Sequence, residues 1–194
     1  MADTRTRLLT ATNESFRRRG YNGTSLKQVT AAANAPTGSL YHFFPGGKDE
    51  LAAETITWSG AAYRELIETV ADAASSPGAM ITDAFDSAAA VLEETDFIDP
   101  CPIGTVAREV ASTNEPLRRA TEQVFASWID AARTRLAAGG VAEEEAERLA
   151  TALVAAIEGS FVLARAKRDA DVLRDTGRVM RRVVEDALAA IAVD

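Results

Sequence analysis

Apolar positions recur every three or four residues along nearly the whole chain, and no stretch shows convincing period-two alternation. Residues 4–19 place Leu8, Leu9, Thr12 and Phe16 on one helical face, with Arg17, Arg18 and Arg19 near its end and Gly20 as its stop. A short helix follows, opened by Thr24 or Ser25. Ser25 with Gln28 three residues on fits a capping box, and Leu26, Val29 and Ala33 form its buried side. Asn34 stands where the chain must turn, and Asn tolerates the left-handed conformation better than most residues. Pro36 opens the next short helix, because a missing N–H costs nothing in a first turn. Leu40, Phe43 and Phe44 face inward on it, and Pro45-Gly46-Gly47 ends it.

A long helix begins near Lys48 and runs to about residue 74, then Ser75-Ser76-Pro77-Gly78 forms a loop. Met80, Ile81, Ala84, Phe85, Ala88, Val91 and Leu92 mark an amphipathic helix that breaks at Asp99-Pro100-Cys101-Pro102. A shorter helix follows to about Ala111, and Asn114 caps another that ends at Gly139-Gly140. Residues 143–168 and 172–192 read as two more long helices. The expected fold is all-α with about nine helices: a three-helix head over residues 1–50 and a helical body over residues 51–194.

Alanine is abundant and hydrophobic residues make up 47%, a globular composition. No uninterrupted apolar run reaches the roughly 18–20 residues of a membrane span, and no secretory leader is visible at the N-terminus. The single cysteine, Cys101, has no partner for an internal disulfide, so a cytoplasmic setting is expected. Net charge is −8, but it is unevenly spread. Residues 1–50 carry seven basic and four acidic groups, and the remainder 14 basic and 25 acidic. A basic head on an acidic body suits a protein that meets phosphate at one end only.

The two short helices have what a DNA-reading pair needs: a brace, a second helix with small polar side chains, and flanks that hold phosphate. Leu26, Val29, Leu40 and Phe44 brace the pair against Phe16. Thr37, Gly38 and Ser39 are small enough for close approach, and Tyr41 and His42 follow on the exposed side. Lys48 at a helix start, with Thr24 and Ser25, supplies phosphate contacts. Taken singly, Tyr41 fits half-buried packing equally well, and a lone histidine or lysine is more often solvated; the reading rests on their joint placement.

That placement resembles the TetR family of bacterial transcription regulators. The residues concerned are Gly20-Tyr21, Thr24-Ser25-Leu26, Val29, Ala32-Ala33, Gly38-Ser39-Leu40-Tyr41-His42-Phe43-Phe44-Pro45, Lys48 and Glu50-Leu51. The chain departs from the pattern at Asn34, where the family usually has Gly, at Pro36, where a capping Ser is common, and at Gly46-Gly47, one residue longer than usual. Pro-Gly-Gly-Lys and Pro100-Cys101-Pro102-Ile103-Gly104 resemble a branch of efflux and antibiotic-resistance repressors that respond to aromatic compounds. The resemblance implies a homodimer on double-stranded DNA, in most members a repressor released by a small molecule. A dimer would read a roughly palindromic operator.

In the body, residues 143–168 carry a large-residue stripe with Leu149, Leu153 and Ile157 and a small-residue stripe with Ala156 and Ser160. With Val179, Val183 and Leu188 of the last helix they are the expected dimer interface, the alternative being intrachain core. Trp58, Phe85, Phe97, Cys101, Ile103, Phe125, Trp128, Ile129 and Phe161, with Arg165 as a polar handle, are candidates for a pocket taking a small hydrophobic or aromatic effector, and at least half of them are expected to be ordinary core. Neither catalytic nor metal-binding motifs occur, so no enzyme, metal or cofactor is expected. The competing readings are a helical protein-interaction module and a small-molecule carrier, neither of which would bind DNA.

Overall fold

A computed structural model describes residues 3–98 and 101–191. Its elements are α1 (Thr4–Arg19), α2 (Leu26–Ala32), α3 (Thr37–Phe43), α4 (Lys48–Ala73), α5 (Pro77–Glu94), α6 (Pro102–Val110), α7 (Glu115–Ala138), α8 (Glu143–Lys167) and α9 (Asp171–Ile191). Among the described residues there is no strand, and the all-helical expectation holds. The break expected at Asp99-Pro100 and the end of α9 expected at residue 192 lie outside the described residues.

The helix ends follow local chemistry. Asp3 caps α1 by accepting from the Thr6 N–H at 2.8 Å. Ser76 caps α5 with Pro77 in its first turn, and Asn114 Oδ1 accepts from the Leu117 N–H at 3.1 Å. Cys101 caps α6, its sulfur accepting from the Gly104 N–H at 3.4 Å. Arg168 ends α8 in the left-handed region, and the Asp169 N–H bonds back to the Ala164 carbonyl.

The chain divides into two compact units. The first comprises residues 1–62 and 100–124, so α6 and the start of α7 join the N-terminal helices. Its core holds Leu8, Leu9, Val29, Ala33, Leu40, Phe44 and Leu51, all buried. Ile103, Val106 and Val110 are buried on α6, which packs against α1. The second unit comprises residues 63–99 and 125–194. Its core is built by Ile81, Phe85, Ala89 and Leu92 of α5 with Leu136, Ala150, Leu173 and Val184. Within it α9 packs along α5 and α8.

Helix α8 is strongly apolar. By length and composition alone it would span a bilayer, with an 18-residue window of mean hydropathy 1.6. Leu149, Leu153 and Ala164 bury one side of it in the second unit's core. The other side, with Ala152, Ala155, Gly159, Val162, Leu163 and Ala166, is exposed.

Candidate nucleic-acid interface

The N-terminal helices position a small polar face. Helix α2 starts at a reciprocal cap: Ser25 Oγ accepts from the Gln28 N–H at 3.3 Å, and Gln28 Oε1 accepts from the Ser25 N–H at 3.1 Å. Such a cap satisfies two amides that a helix start leaves open. The turn after α2 closes at Asn34, whose φ of 47° lies in the left-handed region. The Ala35 N–H returns to the Thr30 carbonyl, and Arg7 Nε donates to the Ala33 carbonyl at 3.0 Å, tying the turn to α1. Asn therefore serves where glycine is usual.

Pro36 is the cap residue rather than the first helical residue of α3, and no side chain caps that helix. Leu40 and Phe44 are fully buried and anchor α3 from below. Thr37, Gly38, Tyr41 and His42 are exposed, Tyr41 to 51%, and Ser39 is half-buried. His42 stands edge-on to Phe43 with ring centroids 5.0 Å apart. A Cβ added to Gly38 would meet nothing within 4 Å. Nothing inside the chain therefore requires glycine there, and the bare surface it leaves is turned outward.

The phosphate-contact candidates are placed differently from one another. Ser25 is exposed. Thr24 is 3% exposed; its hydroxyl donates to the Gly20 carbonyl at 2.7 Å and lies 2.8 Å from Ser15 Oγ. Its side chain is thus spent on the α1–α2 turn and has no free hydroxyl for a ligand. Lys48 is half-buried, with Nζ 4.2 Å from the centroid of the Tyr21 ring. Burial pushes its pKa down, against the pull of Asp49 and Glu109. The Tyr21 hydroxyl donates to Asp49, and Glu50 Oε2 accepts from the Gly46 N–H at 2.6 Å. The first turn of α4 is therefore already furnished with two carboxylates. Tyr21 and Glu109 are far from Lys48 in sequence, so their approach to it is seen only in three dimensions.

The effector-pocket candidates fall in both units. Trp58, Cys101 and Ile103 belong to the first, where Cys101 and Ile103 are buried and Trp58 is exposed. Phe85, Phe97, Phe125, Trp128, Ile129, Phe161 and Arg165 belong to the second. Phe85 is core, and Phe97, Ile129 and Phe161 pack partly buried against it. Arg165 Nε donates to the Phe97 carbonyl at 3.0 Å. Phe125 and Trp128 meet edge to face at 5.5 Å, and Tyr63, not among the candidates, joins them 5.7 Å from Trp128.

The interface candidates also separate. Leu149, Leu153 and Ser160 are buried within the chain, Ser160 Oγ donating to Thr176 Oγ1 at 3.0 Å. These three are intrachain core, the alternative left open for the stripes. Ala156, Ile157 and Leu188 pack partly buried on the same core, and Val179 and Val183 are exposed.

Residues 8–55 match the family model described as bacterial regulatory proteins, tetR family. Residues 77–179 match the C-terminal domain described as transcriptional regulator LmrA/YxaF-like. The chain is 38% identical to the uncharacterized HTH-type transcriptional regulator YxaF of Bacillus subtilis (strain 168), over 86% of this chain and 87% of that one. It is 32% identical to the HTH-type transcriptional regulator LmrA of the same organism, over 83% and 86%. A TetR transcriptional regulator from Legionella pneumophila has the same fold, with a TM-score of 0.82 over 94% of this chain and 98% of that one at 23% identity. These proteins are regulators and not enzymes, and the matches span both ends of the chain: it belongs to the TetR family of DNA-binding bacterial transcriptional regulators.

Proposed function

We propose that this regulator acts as a cytoplasmic homodimeric repressor. It lays the exposed face of α3 in the major groove of a roughly palindromic operator and is released by a small hydrophobic or aromatic ligand. The observation that carries this reading is the outward face Thr37, Gly38, Tyr41 and His42 on a helix anchored by buried Leu40 and Phe44, with open space over Gly38. Backbone approach to base edges needs such a bare patch, and Tyr41 and His42 beside it supply hydrogen bonds to bases or phosphates. For phosphate we favour exposed Ser25, whose hydroxyl donates to Gln28 Oε1 at 3.0 Å, over buried Thr24, with Lys48 over the Tyr21 ring as the nearby positive charge.

A second copy is the occupant proposed for the exposed side of α8. Ala152, Ala155, Gly159, Val162 and Leu163 form a stripe of small and apolar residues there, and Val179 and Val183 lie exposed on α9. Small residues let two helices approach closely, and self-complementary patches are what twofold dimers use. Two-fold pairing would put the reading helices about 34–36 Å apart on successive grooves. An effector that favours another spacing would weaken DNA binding by its preference between the two states, about 1–3 kcal/mol in typical cases.

A mobility-shift assay on DNA upstream of its own and neighbouring genes tests the reading. The expected result is a discrete shift whose affinity falls steeply with salt. An interaction module or carrier would give no shift.

A further inference from the structure

Within the first unit, one hydrogen bond joins α6 to the turn between α1 and α2. The Asn22 backbone N–H donates to Glu109 Oε2 at 2.8 Å, across 87 positions of sequence. The same carboxylate fills the space beside Gly20. Gly20 is buried, its φ is 69° with ψ −175°, and any Cβ there would collide with the Glu109 carboxylate. That backbone region is essentially reserved for glycine. At Gly23 a side chain would strike the Arg19 carbonyl. The turn thus leaves room for the Glu109 carboxylate at Gly20 and offers it the Asn22 amide.

What leaves this turn matters for DNA. On its far side come Thr24, bonded to the Gly20 carbonyl and beside Ser15, and then Ser25, the cap of α2. From its middle, Tyr21 reaches Asp49 and underlies Lys48 at the start of α4. One carboxylate of α6 therefore holds the segment that sets both the start of α2 and the first turn of α4.

We infer that Glu109 is a positioning residue for DNA binding: its bond to Asn22 fixes the α1–α2 turn, and with it Ser25 and the start of α2, in the arrangement that meets DNA. Glu109 touches no DNA in this role. The inference deepens the proposed function by naming a residue that orders the DNA-reading head, and it rests on that reading. A purely electrostatic role makes the opposite prediction. Glu109 attracts Lys48, so as a rival of phosphate its removal would tighten DNA binding.

The test uses the full chain and a duplex that the wild-type protein selects from a random library. Anisotropy over a salt series is compared for wild type, Glu109→Ala and Glu109→Gln, with amide exchange measured on each free protein. E109A is expected to bind roughly tenfold more weakly, at the lower end of typical coupling between sites. Its slope of log affinity against log salt should equal that of wild type, since no phosphate contact is lost. Exchange should accelerate at residues 22–25 and stay at wild-type rates in α5, α8 and α9. E109Q, which retains an acceptor oxygen, should keep part of the affinity; should E109A fail to fold, a loss in E109Q decides in favour. Equal or tighter binding by the variants overturns the inference, as does exchange accelerated throughout the chain. Selection of no duplex by the wild-type protein would instead defeat the DNA-binding reading.

Discussion

Gly177 of α9 and Phe85 of α5 touch so closely that a Cβ on Gly177 would lie 2.7 Å from the Phe85 Cβ and 3.0 Å from its Cγ. Both residues are buried, and the α5–α9 seam of the second unit is built around this approach. A methyl group there must displace a packed aromatic ring rather than the tip of a flexible side chain. Overpacking of that kind typically costs about 1–3 kcal/mol, against which alanine in a helix interior offsets at most about 1 kcal/mol relative to glycine. Gly177→Ala is therefore expected to be destabilising by about 1–2 kcal/mol, read as a lower urea midpoint at unchanged slope.

Tyr21 gives a titration with a definite sign. Burial first, and its hydrogen bond to Asp49 second, push its pKa from 10.0 up to about 12. Folding therefore favours the protonated phenol. Its stabilising contribution is complete below pH 10 and is lost as pH rises through about 12. A spectrophotometric titration should show one tyrosine ionising near pH 12 that disappears in Tyr21→Phe. Because burial is the larger cause, Asp49→Asn should bring that transition down only part of the way.

Much of the head was legible because its determinants are local. The Ser25–Gln28 cap, the turn at Asn34 and the inward stripe Leu8, Leu9, Thr12 and Phe16 each follow from neighbours within a few positions, and each stands in the fold as read. The burial of Thr24 is not legible in the sequence, because the carbonyl its hydroxyl meets is turned toward it by the glycine conformation at Gly20. On α8 the apolar arc was visible but its division was not. Period alone cannot say which side meets Thr176 and the core and which is left outside, so a single sequence leaves interface and core both open for Leu149, Leu153 and Ser160, and the fold buries all three. The Glu109–Asn22 bond spans 87 positions and leaves no trace in any window of a single sequence.

Gly38 separates stability from recognition. Its Cβ position is open, so Gly38→Ala should leave the fold intact and, through helix propensity, add up to about 1 kcal/mol to stability. The same methyl group stands on the face proposed to meet base edges. Anisotropy with the selected operator should therefore show weaker binding, and Gly38→Gln should weaken it further. The thermal midpoints of both variants should be at or above that of wild type. Unchanged affinity in G38Q would mean that DNA meets another surface.

The outer side of α8 offers the converse separation. Gly159 has nothing within 4 Å of its Cβ position, and Leu163 is 56% exposed. A side chain at Gly159 meets nothing inside the chain and that of Leu163 is more than half exposed, so each charged variant should fold with native helix content. In a dimer joined through this side, the same charges would meet their own symmetry mates in a desolvated interface, where an unpaired charge costs several kcal/mol. Sedimentation of Gly159→Arg and Leu163→Glu at micromolar concentration should give a single-chain mass while the wild type gives twice that. Operator affinity should fall with it, because a lone head makes only half of the phosphate and base contacts and the slope against log salt should drop by about half. Leu153→Ala, on the buried side of the same helix, should instead lose about 2–5 kcal/mol of stability and leave the dimer mass in place, since it faces the chain's own core.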